Sequence, residues 1–166
     1  MLKLMGAMVL FSGLSWCGWQ KALWYQHHLD CLNRWRSSLI EGERQLCDLG
    51  MQTATYLEWL ADQPGMDKMA VRCLNGLEWE ERFSATWTSA IQNADFPLYQ
   101  DELDTLNALG EVLGQYDEHR QRQSLSYAGT RIQDAIRRGE EEKRRLGKMW
   151  RLLGMGAGIF AVVLLY

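Results

Sequence analysis

The N-terminal part of the chain begins with a long apolar run. Residues 4–20 contain no charged side chain, and the apolar surface continues past Lys21 to Tyr25. At about 1.5 Å per residue, a helix over residues 4–25 reaches roughly 33 Å, which is enough to cross the hydrocarbon core of a bilayer. The stem of Lys21 is long enough to carry its charge to the membrane surface. This pattern predicts a transmembrane helix at residues 1–25.

A second apolar run occupies the other end of the chain. Residues 152–166 are uncharged, but 15 residues span only about 22 Å as a helix. Trp150 extends the run, and Trp150 and Tyr166 stand where interfacial aromatic residues are expected. We therefore predict a second transmembrane helix at residues 150–166, with a buried helix of a soluble protein as the alternative.

The N-terminal run has an alternative interpretation as a signal peptide that is removed after export, with Lys3 as its charged region. The expected cleavage site is poor, because the bulky Trp16 precedes Cys17 and no A-x-A-like triplet follows. The alternative would make the protein a secreted or surface-anchored helical binding module.

Between the two runs, residues 26–149 show helical periodicity. Apolar or small residues recur in two stretches at alternating steps of three and four, which marks one buried stripe on each of two long helices. The first stripe comprises Leu32, Trp35, Leu39, Gly42, Leu46 and Leu49, and the second comprises Leu125, Ala128, Ile132, Ala135, Gly139, Glu142, Leu146 and Met149. We expect each helix to continue into the neighbouring membrane segment and the two helices to pair antiparallel.

Shorter helices are predicted between the two stripes. Their boundaries come from glycine, proline and capping residues. These boundaries are a stop at Gly50 and restart at Thr53, a break at Pro64-Gly65, a helix over Met66–Leu77 that ends near Gly76, a helix anchored by Trp87, a helix from Pro97 to Gly114, and a cap at Asp117. The predicted fold is an all-α helical bundle with two long terminal helices that extend into N- and C-terminal transmembrane segments.

Composition supports this fold class and excludes others. The 166 residues include only two prolines and few β-branched residues, which disfavours all-β and Rossmann-type folds. The formal net charge of -3 makes binding of nucleic acid through bulk charge implausible.

The positions of Lys and Arg predict the orientation in the membrane. At the outer end of the first span the chain carries only Lys3, whereas basic residues are frequent where the middle of the chain meets the membrane. Because basic residues favour the cytoplasmic side, the middle is predicted to be cytoplasmic. The basic residues that flank the membrane most closely are Lys21, Lys143, Arg144, Arg145, Lys148 and Arg151. Besides setting the topology, they could attract anionic lipid head groups.

The sequence shows no pattern typical of catalysis. The four cysteines lack metal-ligand spacing, and no phosphate loop, nucleophile constellation or dinucleotide fingerprint is present. His27 and His28 are adjacent and would point about 100° apart on a helix, so we interpret them as a solvated pair and His119 as a surface residue. We predict no catalytic, cofactor-binding or metal-binding residues and no cofactor.

Two packing contacts are predicted between helices. With Lys21 and Arg151 taken as level, antiparallel descent at about 1.5 Å per residue places Trp35 opposite Gly139, where the indole would fill the space of the missing side chain. Gly154 and Gly158 form a G-x-x-x-G pattern that would let membrane helices approach closely, although glycine is also simply common in such helices. Self-association through this pair is left open.

The C-terminal half resembles the stage III sporulation protein AB family of endospore-forming bacteria. The similarity rests on an ordered series: a Leu113-Gly114 pair, Asp117 three residues later, a polar helix, and a Trp150-Arg151 boundary before a short apolar tail. Glu102 and Leu106 also match. The chain departs from the family pattern at Gln45 and Tyr116.

This resemblance implies a function. Members of the family are expected to be subunits of the channel or secretion-like complex that joins the mother cell to the engulfed forespore, located in the mother-cell membrane with other products of the stage III operon. The family is also similar to the cytoplasmic domains of the F-type platform protein of type II secretion. The expected role is therefore a non-enzymatic adaptor between an ATPase and membrane components, with lipid as a further partner.

Overall fold

The computed structural model describes the backbone of residues 2–78, 82–113 and 117–165, and the side chains of residues 20, 23–77, 82–113 and 117–145. Every regular element in these ranges is helical, so the all-α prediction is confirmed. The α-helices are α1 (Leu2–Gly42), α2 (Thr53–Ala61), α3 (Asp67–Glu78), α4 (Phe83–Asn93), α5 (Gln100–Leu109) and α6 (Glu118–Leu165), and a π-helix (Glu43–Asp48) follows α1 directly.

The chain divides into two compact units. The first consists of residues 1–29 and 136–166, and the second of residues 30–135. In the part of the chain that the structure describes, no helix is both long enough and apolar enough to cross a membrane. The side chains of the predicted membrane segments lie almost entirely outside the described residues, and so do the surroundings of Gly154 and Gly158.

The second unit is built around an aromatic centre. Trp35 on α1 and Trp87 on α4 are both about 1% exposed or less, and their rings meet edge to face with centroids 6.2 Å apart. The ring of Phe96 also packs edge to face on Trp35, with centroids 5.5 Å apart. The indole of Trp87 donates a hydrogen bond to the carbonyl of Leu106 at 2.8 Å, which ties α4 to α5. The prediction that Trp87 anchors the core is confirmed.

Both predicted stripes are buried along most of their length. On α1, Leu32, Trp35 and Leu39 are almost completely buried. On α6, the four residues from Leu125 to Ala135 are buried in the same way. Leu49, however, is 55% exposed, and Glu142 is exposed as well, so the prediction is wrong at these two positions. The side chains of Leu146 and Met149 lie outside the described residues.

The π-helix explains the exposure of Leu49. The amide of Leu49 bonds to the carbonyl of Arg44, five residues earlier, and this wider turn changes the direction of the following side chains. It also buries Gln45, Leu46 and Cys47 in succession. Just before it, the Tyr56 ring packs so closely on Gly42 that a Cβ at Gly42 would lie 3.0 Å from the ring.

The predicted breaks are correct at Gly50 and Pro64-Gly65, where both glycines have positive φ, 60° and 80°. Gly76 does not end its helix: α3 continues to Glu78. A Cβ at Gly76 would lie 2.5 Å from Cγ2 of Thr86, so this glycine allows α3 and α4 to approach closely.

The helix predicted from Pro97 starts three residues later, at Gln100, and ends at Leu109. The start is set by Glu102, whose buried carboxylate accepts a hydrogen bond from the Tyr99 amide at 2.9 Å. The predicted extent up to Gly114 is therefore wrong, because the helix stops at Leu109 with Gly110 as its C-cap residue. Asp117 caps α6 as predicted, because its Oδ1 accepts a hydrogen bond from the amide of Arg120.

Candidate functional site at the paired long helices

In the first unit, α1 and α6 pair antiparallel near Tyr25. The Tyr25 hydroxyl donates a hydrogen bond to Oε2 of Glu142 at 2.8 Å. One turn further along α1, Leu29 meets α6 at Gly139, where a Cβ would lie 2.8 Å from the Leu29 Cδ2. Going along α1 from Tyr25 to Leu29, the partner residue on α6 changes from Glu142 to Gly139, so the two helices are antiparallel. The N-terminal part of α1 and the C-terminal part of α6 therefore extend from this contact in the same direction.

The predicted contact between Trp35 and Gly139 is wrong. Leu29 occupies the space at Gly139, and Trp35 packs instead within the second unit, against Trp87 and Phe96. The prediction assumed that Lys21 and Arg151 lie at the same level along the helix pair. The pairs Tyr25–Glu142 and Leu29–Gly139 instead place Lys21 about one helical turn from the level of Arg151.

The two adjacent histidines have different environments. His27 is exposed, as predicted. His28 is only 1% exposed, and its ring stacks on Trp24 with centroids 5.0 Å apart and an angle of 18° between the planes. The prediction of a solvated pair is therefore wrong for His28, because α1 turns this side chain toward its neighbours in the first unit. His119 is exposed, as predicted.

The basic stretch on α6 faces solvent where it is described. Lys143, Arg144 and Arg145 are all exposed. The side chains of Lys21, Lys148 and Arg151 lie outside the described residues. The described part of this stretch is thus accessible to a charged surface or partner.

In the second unit, an ion-pair cluster joins α6 to the π-helix that follows α1. Arg122 on α6 donates to Asp48 at 2.8 Å and lies 3.8 Å from both Glu43 and Glu118. The bond to Asp48 raises the pKa of the Arg122 guanidinium, so its charge is permanent at any physiological pH. The cluster fastens the last turn of the π-helix to the start of α6.

The buried thiols are chemically quiet. Burial raises the pKa of Cys31 and of Cys73 to about 12, and it also raises the pKa of Cys47. These thiols therefore stay protonated at neutral pH, and a protonated thiol is a poor nucleophile and metal ligand. Among the described residues, no group of three His, Cys, Asp or Glu side chains is arranged to hold a metal ion.

Two structural residues were not recognised as such from the sequence. Arg34 is not singled out by any pattern in the sequence, but its Nη1 donates a hydrogen bond to the carbonyl of Pro64 at 2.8 Å and holds the turn between α2 and α3 against α1. Glu102 had been noted only as a match to a family pattern. Glu102 lies three residues after the N-cap residue Tyr99, the position of the acidic residue in a capping box, but Tyr99 is not one of the usual N-cap residues, so the sequence carries only half of that signal.

The comparisons with known proteins agree with the arrangement of helices. A sequence model of the stage III sporulation protein AB family matches residues 3–166. The chain belongs to this family. A curated member of the AB family, stage III sporulation protein AB of Bacillus subtilis (strain 168), is 23% identical over 180 residues, and the alignment covers 99% of each chain.

A solved structure of stage III sporulation protein AB (SpoIIIAB) has the same fold. It superposes with a TM-score of 0.64 at 15% sequence identity and covers 72% of this chain and 98% of that chain. Both relatives are named as sporulation proteins, and neither is named as an enzyme. Membership of the AB family gives this chain a role in sporulation.

The structure gives physical roles to part of the series by which the chain resembles the AB family. Leu113 is buried, and Asp117 caps α6. Gly114 and the side chains of Trp150 and Arg151 lie outside the described residues.

Proposed function

We propose that this protein is a non-enzymatic, membrane-anchored subunit of the complex that connects the mother cell and the forespore. In this proposal, residues 1–25 and 150–166 span the mother-cell membrane and the middle of the chain is cytoplasmic. The observation that carries it is membership of the stage III sporulation protein AB family over nearly the whole chain.

The geometry of the first unit supports the proposal. Because α1 and α6 pair antiparallel through Tyr25–Glu142 and Leu29–Gly139, both helices continue in the same direction, as two neighbouring membrane spans require. Each is a single helix that extends from the paired segment into its apolar end. No flexible linker of Gly, Ser or Pro residues interrupts them, so a force on the bundle would reach both membrane segments.

The proposed partners are an ATPase and other membrane proteins encoded by the same stage III operon. An adaptor needs a folded surface rather than a reactive group. The buried, protonated thiols and the exposed charges of the described residues fit this requirement.

The orientation is tested by labelling a new cysteine. The native Cys47 and Cys73 are buried and would react poorly on either side of a membrane, so they are unsuitable reporters. Tyr127 is 64% exposed in the middle of the chain, and Tyr127→Cys supplies an accessible thiol. We expect an impermeant maleimide to label this variant, in excess of the parent chain, only after the cells are opened. Labelling in intact cells would contradict the cytoplasmic placement.

The adaptor role is tested by purification. A tagged full-length chain from sporulating cells should be uncleaved, remain with membranes after alkaline extraction, and carry an ATPase with it. A chain that is shortened at its N-terminus and released into the medium would support the secreted binding module instead.

A further inference from the structure

The exposed face of α4 lies between two grooves that carry opposite charges. The groove between α3 and α4 has a volume of about 580 Å³, and its charged lining residues are Arg72 and Arg82. The groove between α4 and α5 has the same volume, and its charged lining residues are Asp104 and Glu111. In the described residues, therefore, one flank of α4 is basic and the other is acidic.

Small residues form the crest between the two grooves. Ala85 and Ser89 line both grooves and are exposed, and they lie four residues apart on one side of α4. Since the distance between packed helices is set by the side chains at the contact, this crest allows another helix to approach closely. The charged flanks would then lie beside that helix.

The four charges stand at two matching levels along α4. Gly76 meets Thr86, and the earlier residues Asp67 and Arg72 share a groove with Ala90 and Ala94, so α3 runs antiparallel to α4. Arg72 therefore lies beside the C-terminal half of α4, whereas Arg82 is the residue before its first turn. α5 begins seven residues after α4 ends, and its end reaches Trp87 at Gly110, so it also runs antiparallel to α4.

This direction fixes the levels of the two acids. Glu111 lies at the N-terminal end of α4, at the level of Arg82, and Asp104 lies at the C-terminal end, at the level of Arg72. Each level therefore has one basic and one acidic residue on opposite flanks of α4.

This arrangement is self-complementary under one particular symmetry. Rotation by 180° about an axis parallel to α4 places the basic flank of each copy against the acidic flank of the other, with the two α4 helices parallel. Arg82 then faces Glu111 of the partner subunit, and Arg72 faces Asp104 of the partner subunit. An axis perpendicular to α4 within the face would bring like charges together.

We propose that the α4 face binds a second copy of this chain across a two-fold axis parallel to α4. The 11 residues of α4 extend about 16 Å, so the contact is smaller than the roughly 800 Å² per partner of a standard interface. The dimer is therefore weak, and it forms where copies are concentrated.

Cross-linking at the crest tests the geometry. Under the proposed symmetry, residue 89 lies close to its own equivalent, so Ser89→Cys in the full-length chain should give a reducible dimer under mild oxidation. Tyr127→Cys, which is exposed on α6, is the matched control and should remain monomeric. Cys17, whose side chain lies outside the described residues, is replaced by serine in all versions. Failure of Ser89→Cys to form a dimer, or its capture of a different protein alone in sporulating cells, would overturn the proposal.

Exchange of charges tests the pairing. Arg72→Glu should weaken dimerisation roughly tenfold, because two attractive contacts per dimer become repulsive, and Asp104→Arg should do the same. The double variant restores opposite charges at that level, so its dimerisation should return close to the level of the parent. Both positions are exposed, and unchanged helical circular dichroism would show that the variants fold. If the single variants dimerise more weakly and the double variant does not recover, the proposed pairing is ruled out. It is also ruled out if neither single change affects dimerisation.

Discussion

At the residue scale, the environment of a glycine decides what a larger side chain would do. Gly76 and Gly129 both lie inside helices, where alanine has the higher helix propensity by up to about 1 kcal/mol. A Cβ at Gly76 would meet the buried, β-branched Thr86 at 2.5 Å, whereas a Cβ at Gly129 would meet nothing within 4 Å. The gain in helix propensity on substitution by alanine is therefore similar at both positions. The packing of the new methyl group against its neighbours is what differs.

We predict opposite effects of alanine at these two positions. Gly129→Ala should raise the free energy of unfolding by roughly 0.5 to 1 kcal/mol, and Gly76→Ala should lower it by about 1 to 3 kcal/mol because Thr86 must move. Thermal unfolding of the full-length chain, followed by circular dichroism, measures both changes. Two shifts in the same direction would show that contact with Thr86 does not limit position 76.

The buried thiols predict a loss of stability at alkaline pH. The pKa of Cys73 is raised from 9.0 to about 12, so the thiol of the unfolded chain ionises first as the pH rises. The unfolded state then binds fewer protons than the folded state, and the stability that is present below pH 9 is lost between pH 9 and 12. At pH 10.5 the loss should be roughly 1 to 2 kcal/mol per thiol.

Replacement of the thiol tests this prediction. The unfolding midpoint of the parent chain should decrease as the pH is raised from 8 to 10.5. The midpoint of Cys73→Ala should decrease less over the same pH interval. The comparison uses the slope with pH, so the cavity left by alanine does not affect it. Equal slopes would assign the alkaline loss to other groups.

At the element scale, the sequence predicts most of what local periodicity controls. The buried stripes on α1 and α6, the cap at Asp117 and the breaks at Gly50 and Gly65 depend on residues within a few positions of each other. The wrong predictions depend on distant residues. Leu49 is turned outward after a π-helix beside Tyr56, and α5 ends at Gly110, where Trp87 packs, instead of continuing to Gly114.

Helix register is the second quantity that the sequence did not supply. Basic residues near a membrane fix the position of one helix along its neighbour only to within about one turn. An error of about that size was enough to assign Gly139 to Trp35 instead of Leu29. A pairing between helices needs at least one observed contact to fix it.

The observed register predicts a compensating pair of substitutions. Gly139→Leu should lower the stability and the cellular abundance of the protein, because the new side chain would overlap Leu29 at a cost of about 1 to 3 kcal/mol. Addition of Leu29→Ala should recover part of the loss by vacating the space. Gly129→Leu is the matched control, since its side chain enters open space. If Gly139→Leu is no less abundant than Gly129→Leu, the contact with Leu29 is unimportant.

At the scale of the whole molecule, the three histidines lie in different environments. His27 and His119 are exposed, whereas His28 is buried against Trp24. A structural subunit should therefore tolerate the loss of the two exposed imidazoles.

We predict that His27→Ala and His119→Ala leave the count of heat-resistant spores unchanged, with normal protein levels. His28→Ala should lower the protein level, because it removes a buried ring from the first unit. Immunoblots beside spore counts separate the two cases. A loss of spores at normal protein level in either exposed variant would indicate that the imidazole has a chemical role.

The hydrogen bond between Tyr25 and Glu142 joins positions 117 residues apart, and this distance has a consequence for synthesis. In the described residues, α2 contacts α3, α3 contacts α4 and α4 contacts α5, so these four helices can pack together as soon as they leave the ribosome. The part of α1 that packs on α6, which includes Leu29, emerges before them and stays uncovered until α6 has been translated. Nascent chains that stop before α6 consequently display Leu29 to chaperones and proteases, whereas Trp35 is already covered by Trp87 and Phe96.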